Sequence, residues 1–106
     1  MSLRQHVKDF EGDVMGIASH APDRYNEKLI STFESDKEFL FEDWNKVKSL
    51  IGIDVGIVKE IDDLIQDGLN QLHHGDKEQG RDIFWIIHNQ KIDELKEHIK
   101  SKKNVR

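Results

Sequence analysis

Cysteine is absent from the chain, which excludes disulfides, thiolate nucleophiles and zinc–thiolate centres. Proline occurs once, at Pro22, so ring constraints and missing backbone donors interrupt helix at one place only. No apolar stretch approaches the roughly 18 residues of a membrane-spanning helix. Residues 1–13, MSLRQHVKDFEGD, are charged throughout and lack the apolar centre of a signal peptide, which predicts a cytoplasmic location. Also missing are a metalloprotease HExxH pair, a nucleophile elbow, a phosphate-binding glycine loop and a dinucleotide fingerprint. These absences lead us to expect neither an enzyme nor a cofactor.

Apolar material is sufficient for a core. Leu, Ile, Val and Phe make up 31 of 106 residues, above the level at which a chain stays disordered. The length suits one domain over residues 1–106. Net charge is −5 and unevenly spread. Residues 26–75 carry 5 basic and 11 acidic side chains, whereas residues 76–106 carry 8 basic and 6 acidic. An acidic centre repels phosphate and argues against docking of the whole domain on nucleic acid.

Periodicity predicts an all-α fold, a small bundle of about five helices ending in a C-terminal antiparallel helical hairpin. Ser2 with Gln5 reads as a capping box, and Leu3, Val7, Phe10, Val14 and Ile17 follow as one stripe. Pro22 ends that helix and opens a short second one carrying Tyr25, Leu29, Ile30 and Phe33. Ser35 with Glu38 predicts the next start, with Leu40, Trp44, Val47 and Ile51 inside and Gly52 as the C-terminal stop. Asp54 is expected to cap a fourth helix, carrying Ile57, Val58, Ile61, Leu64, Ile65 and Leu72 and stopping at Gly75. Asp76 with Gln79 starts a fifth, whose stripe reads Phe84, His88, Ile92, Leu95 and Ile99. Residues 100–106 are expected to fray as a basic tail. The run from Ile83 to Ile87 also suits a buried strand. The flanking cap and stripe favour helix.

The last two helices should pack side by side across the short turn at Gly75. Gly68 and Gly80 then fall at the same level and let the backbones approach. Residues 61–94 resemble a single tetratricopeptide-type hairpin. The family's glycines are matched by Gly68 and Gly75, its small residue early in the second helix by Gly80, and the following aromatic by Phe84. Its early Trp is replaced by Leu64, its Tyr by Gln71, its later Ala by Ile87 and its closing Pro by Ile92. The resemblance implies a protein-binding module rather than an enzyme.

Six histidines raise the question of metal. His73, His74 and Asp76 cluster at the turn, and Glu94 and His98 lie four apart, but a structural zinc site needs about four convergent ligands. No metal site is expected. His88 sits in the apolar stripe; a buried imidazole there would titrate near neutral pH and act as a switch. Carboxylates are plentiful at Glu42, Asp43, Asp62, Asp63 and Asp67, but acid–base catalysis needs two of them facing one cleft.

The remaining signal concerns partners. Phe39, Leu40 and Phe41 in succession exceed what one helix face buries, and Trp85 lies in an all-round apolar segment. Exposed aromatics beside acids suit an interface. The candidate interface is Phe41, Trp44, Trp85, Asp62, Asp63 and Asp67. The expected function is a non-enzymatic protein–protein interaction module, binding a protein partner or itself. One version is an acidic inhibitor or toxin-neutralising, immunity-type protein. The alternative is a small nucleic-acid-associated regulator using the last helix and its basic tail, where Lys96, Lys100, Lys102, Lys103 and Arg106 stand against Glu97.

Overall fold

A computed structural model describes residues 2–25, 32–52 and 55–104, of the last three the backbone only. Its helices are α1 (Leu3–His20), α2 (Phe33–Ile51), α3 (Gly56–His74), α4 (Lys77–Ile86) and α5 (Ile92–Asn104). A π-turn at Ile87–Lys91 joins α4 to α5 without a break, so these make one C-terminal rod and the described residues form four rods rather than five. Of the predicted second helix, residues 26–31 lie outside the described residues. Its described ends are not a separate helix, since residues 21–23 form a turn and Phe33 opens α2. There is no strand among the described residues; residues 83–87 are helical.

Capping fixes the starts. Ser2 Oγ accepts from the Gln5 amide at 3.2 Å, while the Gln5 side chain turns to Asp9 instead of back to Ser2. The N-cap of α2 is Thr32, three residues before the predicted Ser35. Thr32 Oγ1 accepts from the Ser35 amide at 3.2 Å and Ser35 Oγ accepts from the Thr32 amide at 2.9 Å. That reciprocal pair satisfies two orphan donors, and Ser35 is its inner member. Asp54 lies outside the described residues, and Val55 precedes α3 without a side-chain cap. Asp76 caps α4 as predicted, accepting from the Gln79 amide at 3.2 Å. Gly52 ends α2 at φ +117°, a conformation that side-chain-bearing residues rarely adopt.

Consecutive rods run antiparallel. Phe10 stacks on Trp44 with ring centroids 4.7 Å apart, joining α1 to α2. Buried Arg81 on α4 donates through Nη1 to the Ala21 carbonyl at 3.0 Å, satisfying a backbone acceptor just past the end of α1. The backbones of α1 and α2, of α1 and α4, and of α3 and α4 pack closely. Helices α2 and α3 meet through side chains: Trp44 Nε1 donates to Asp62 Oδ1 at 2.6 Å and Lys48 pairs with the same oxygen at 3.2 Å. The core between the rods holds Phe10, Ile17, Leu40, Trp44, Ile61 and Phe84, all essentially excluded from solvent.

The predicted close approach of Gly68 and Gly80 is present. A methyl group on Gly80 would lie 2.7 Å from Leu72 and 3.0 Å from the Gly68 carbonyl, and one on Gly68 would lie 2.8 Å from the Phe84 ring. We expect Gly80→Ala to cost about 2 kcal/mol by overpacking and to lower Tm by about 8 °C. Thermal unfolding followed by circular dichroism checks this; an unchanged Tm would mean that α3 and α4 can separate freely.

The π-turn also follows from the sequence. Buried Ile87 and Ile92 are five residues apart. In a regular α-helix that step rotates the second side chain about 140° from the first. The Ile92 amide instead bonds to the Ile87 carbonyl, bringing Ile92 back to the core and bulging the intervening residues outward. The stripe therefore runs through Ile87 rather than the predicted His88, which sits half-buried at the edge. Beyond this turn the close backbone packing of α4 on α1 is not continued by α5. Helix α5 runs on to Asn104, and residues 105–106 of the tail expected to fray lie outside the described residues.

Candidate protein interface

Helix geometry puts Asp9 and Asp13 one turn apart on α1. It puts Asp36, Phe39 and Asp43 on one strip of α2. Phe10 on Trp44, and Gly16 facing Asp36, whose carboxylate would lie 3.5 Å from a methyl group placed on that glycine, set the register between the two helices. The four carboxylates consequently line a single seam, and Phe39, 54% exposed, stands on its α2 edge.

The seam is electrostatically crowded. Asp13 is half-buried, and its Oδ2 is shut off from solvent with no hydrogen-bond partner among the described residues. Burial first, then the neighbouring Asp43 carboxyl and the negative charges of Asp36 and Asp9, push its carboxyl up to about 8. Asp13 is therefore mostly protonated at neutral pH, which turns a repelling oxygen into a donor toward Asp43. Tyr25 donates to Asp36 Oδ2 at 2.5 Å, and burial together with that carboxylate pushes the phenol upward. Among the described residues no lysine or arginine forms an ion pair with Asp13, Asp36 or Asp43.

The residues singled out from sequence are dispersed. Trp44 is 1% exposed and presents no ring face to a partner. Asp62 serves it and Lys48. Phe41 is half-buried against the core, and Trp85 is half-buried with its ring edge-on to His88 at 5.6 Å. Asp63 and Asp67 are exposed on α3, away from the seam. His88 is hydrogen-bonded to Asn89 at 2.9 Å and lies 3.9 Å from Glu11. His73 accepts from Lys37 at 3.1 Å and packs on Phe33, while Asp76 caps α4. Among the described residues no group of three His, Asp or Glu side chains converges as a metal site would require. Nor is any described helix long and apolar enough to cross a membrane.

Sequence reading missed Asp13, Asp36 and Phe39 as a unit. The signal was present in part in the like-charge spacing of Asp9 with Asp13, four apart on α1, which is unfavourable unless something offsets it. No protein-family model, curated protein or solved structure matches the chain.

Proposed function

We propose that this chain is a non-enzymatic protein-binding module whose α1–α2 seam receives a basic group of its partner. The observation that carries the reading is the alignment of Asp9, Asp13, Asp36 and Asp43 along one seam beside an exposed phenylalanine. A lysine or arginine entering the seam would replace the proton on Asp13 and offset the repulsion among the carboxylates, while Phe39 supplies apolar anchorage at the rim. An inhibitor or immunity-type protein covering a basic site is one form such a module takes. The net charge of −5 would speed encounter with a basic partner.

The nucleic-acid reading has the cations of the C-terminal rod in its favour. Two of them are already matched: Lys91 pairs with Glu60 and Glu94, and Lys96 with Glu11. The acidic seam lies on the adjoining helix, which weighs toward a protein partner.

Affinity capture from native lysate with quantified recovery tests the proposal. We expect a stoichiometric partner, released by salt, whose affinity falls about tenfold or more in the Phe39→Ala, Asp43→Asn variant. The Asp63→Asn, Asp67→Asn variant should retain it. The opposite pattern, or a chain that recovers no partner, refutes the seam as the binding surface.

A further inference from the structure

Where α5 parts from α1 beyond the π-turn, a groove of about 760 Å³ opens between them. That volume lies in the range of small-molecule sites. Apolar surface comes from Val7 and Met15 on α1 and from Ile99 on α5, and Met15 is 47% exposed. Gly12 adds room, since a methyl group there would meet nothing within 4 Å.

The charges around this groove invert those of the molecule. Arg4, Lys8, Lys96 and Lys100 line it against Glu11 and Glu97, a balance of +2 on a chain of −5. Lys96 and Glu11 neutralise each other at 2.8 Å. Arg4, Lys8 and Lys100 form no ion pair among the described residues, leaving three cations and the single opposing Glu97. An apolar trough with surplus positive charge at its mouth complements a ligand with an apolar body and an anionic head.

The Lys96–Glu11 pair, half-exposed and individually weak, favours a slender ligand over a broad one. It links the two walls, one partner from α5 and one from α1. A partner helix, about 10 Å across, would have to break that link to lie in the groove. A single acyl chain is thin enough to pass beside it. We propose that the α1–α5 groove binds a single-chain acyl carboxylate, with its tail along Val7, Met15 and Ile99 and its head among Arg4, Lys8 and Lys100. This site is separate from the acidic seam and does not depend on it.

The chain contains only two methionines, Met1 and Met15, so methyl-13C methionine labelling of the full chain gives a reporter inside the groove. Titration with monomeric sodium laurate should shift the Met15 methyl resonance saturably at one-to-one stoichiometry. The Arg4→Gln, Lys8→Gln, Lys100→Gln variant alters exposed residues only; its circular dichroism should stay native while the midpoint rises about tenfold. Dodecyltrimethylammonium, with the same tail and the opposite head, should bind at least tenfold more weakly. Equal binding of both amphiphiles, an unaffected triple variant or the absence of saturation would each overturn the assignment. So would an acidic amphipathic peptide that shifts Met15 at lower concentration than laurate.

Discussion

Replacing Trp44 with alanine is expected to remove about 3–5 kcal/mol of folding stability, a large share of the total available to a domain of this size. Three losses combine. The indole is 1% exposed and fills the space between α1 and α2, so its removal leaves a cavity that the neighbouring rods close only in part. Its stack on Phe10 at 4.7 Å disappears. Its Nε1–H no longer donates to Asp62, which joins α2 to α3 where their backbones do not pack closely. Trp44→Phe separates these contributions: it keeps most of the ring volume and loses the hydrogen bond, at a cost of about 1 kcal/mol. Asp62 keeps Lys48 at 3.2 Å in either case. Urea unfolding followed by far-ultraviolet circular dichroism measures both variants. If Trp44→Ala unfolds within 1 kcal/mol of the wild type, the indole is not the keystone its burial indicates.

Trp44 also shows how far sequence carried the interpretation. Its place in the stripe with Leu40 and Val47 assigned it to the core, and its residue type made it an interface candidate. Periodicity was the better guide, because it records which side of a helix faces inward while residue type records only capacity. The same holds for Gly68 and Gly80, whose levels across the Gly75 turn follow from helix rise alone. The π-turn was harder to see. The step of five from Ile87 to Ile92 resembles an interruption unless the helix is allowed to change its hydrogen-bond register, and a continuous α-helical reading put His88 inside in place of Ile87.

The seam was less legible than the core for a related reason. Asp13, Asp36 and Asp43 are each unremarkable polar residues on amphipathic helices. Their crowding depends on the register between α1 and α2, which Phe10 and Trp44 fix by stacking. The α1–α5 groove likewise arises from the divergence of two helices that regular packing would have kept together. Both surfaces are properties of rod placement, and single-helix patterns carry little information about it.

Replacing Asp13 with asparagine is expected to stabilise the protein above neutral pH and to flatten its stability profile. The carboxyl is held up to about 8 in the folded chain, by burial first and then by Asp43, Asp36 and Asp9, against 3.8 as its ordinary value. The folded state therefore binds the proton more tightly than the unfolded state. This contribution is fully present below about pH 4, declines as pH rises through the interval, and is gone above about pH 8. Solvent at a half-buried site screens the effect, so we expect a fall of about 2–3 kcal/mol across that window. Asparagine carries no charge at any of these pH values, so the variant should match the wild type near pH 4 and exceed it by that amount near pH 8. Urea titrations at intervals between the two limits check the slope; parallel curves would show that Asp13 ionises without strain. The proposed binding role gives the same substitution an opposite effect on affinity. A basic partner group that displaces the Asp13 proton should bind more tightly as pH rises from 6 to 8, where displacement becomes easier. Asparagine removes that dependence along with the charge. Greater stability with weaker binding from one substitution is what a site held under electrostatic strain for a partner should show.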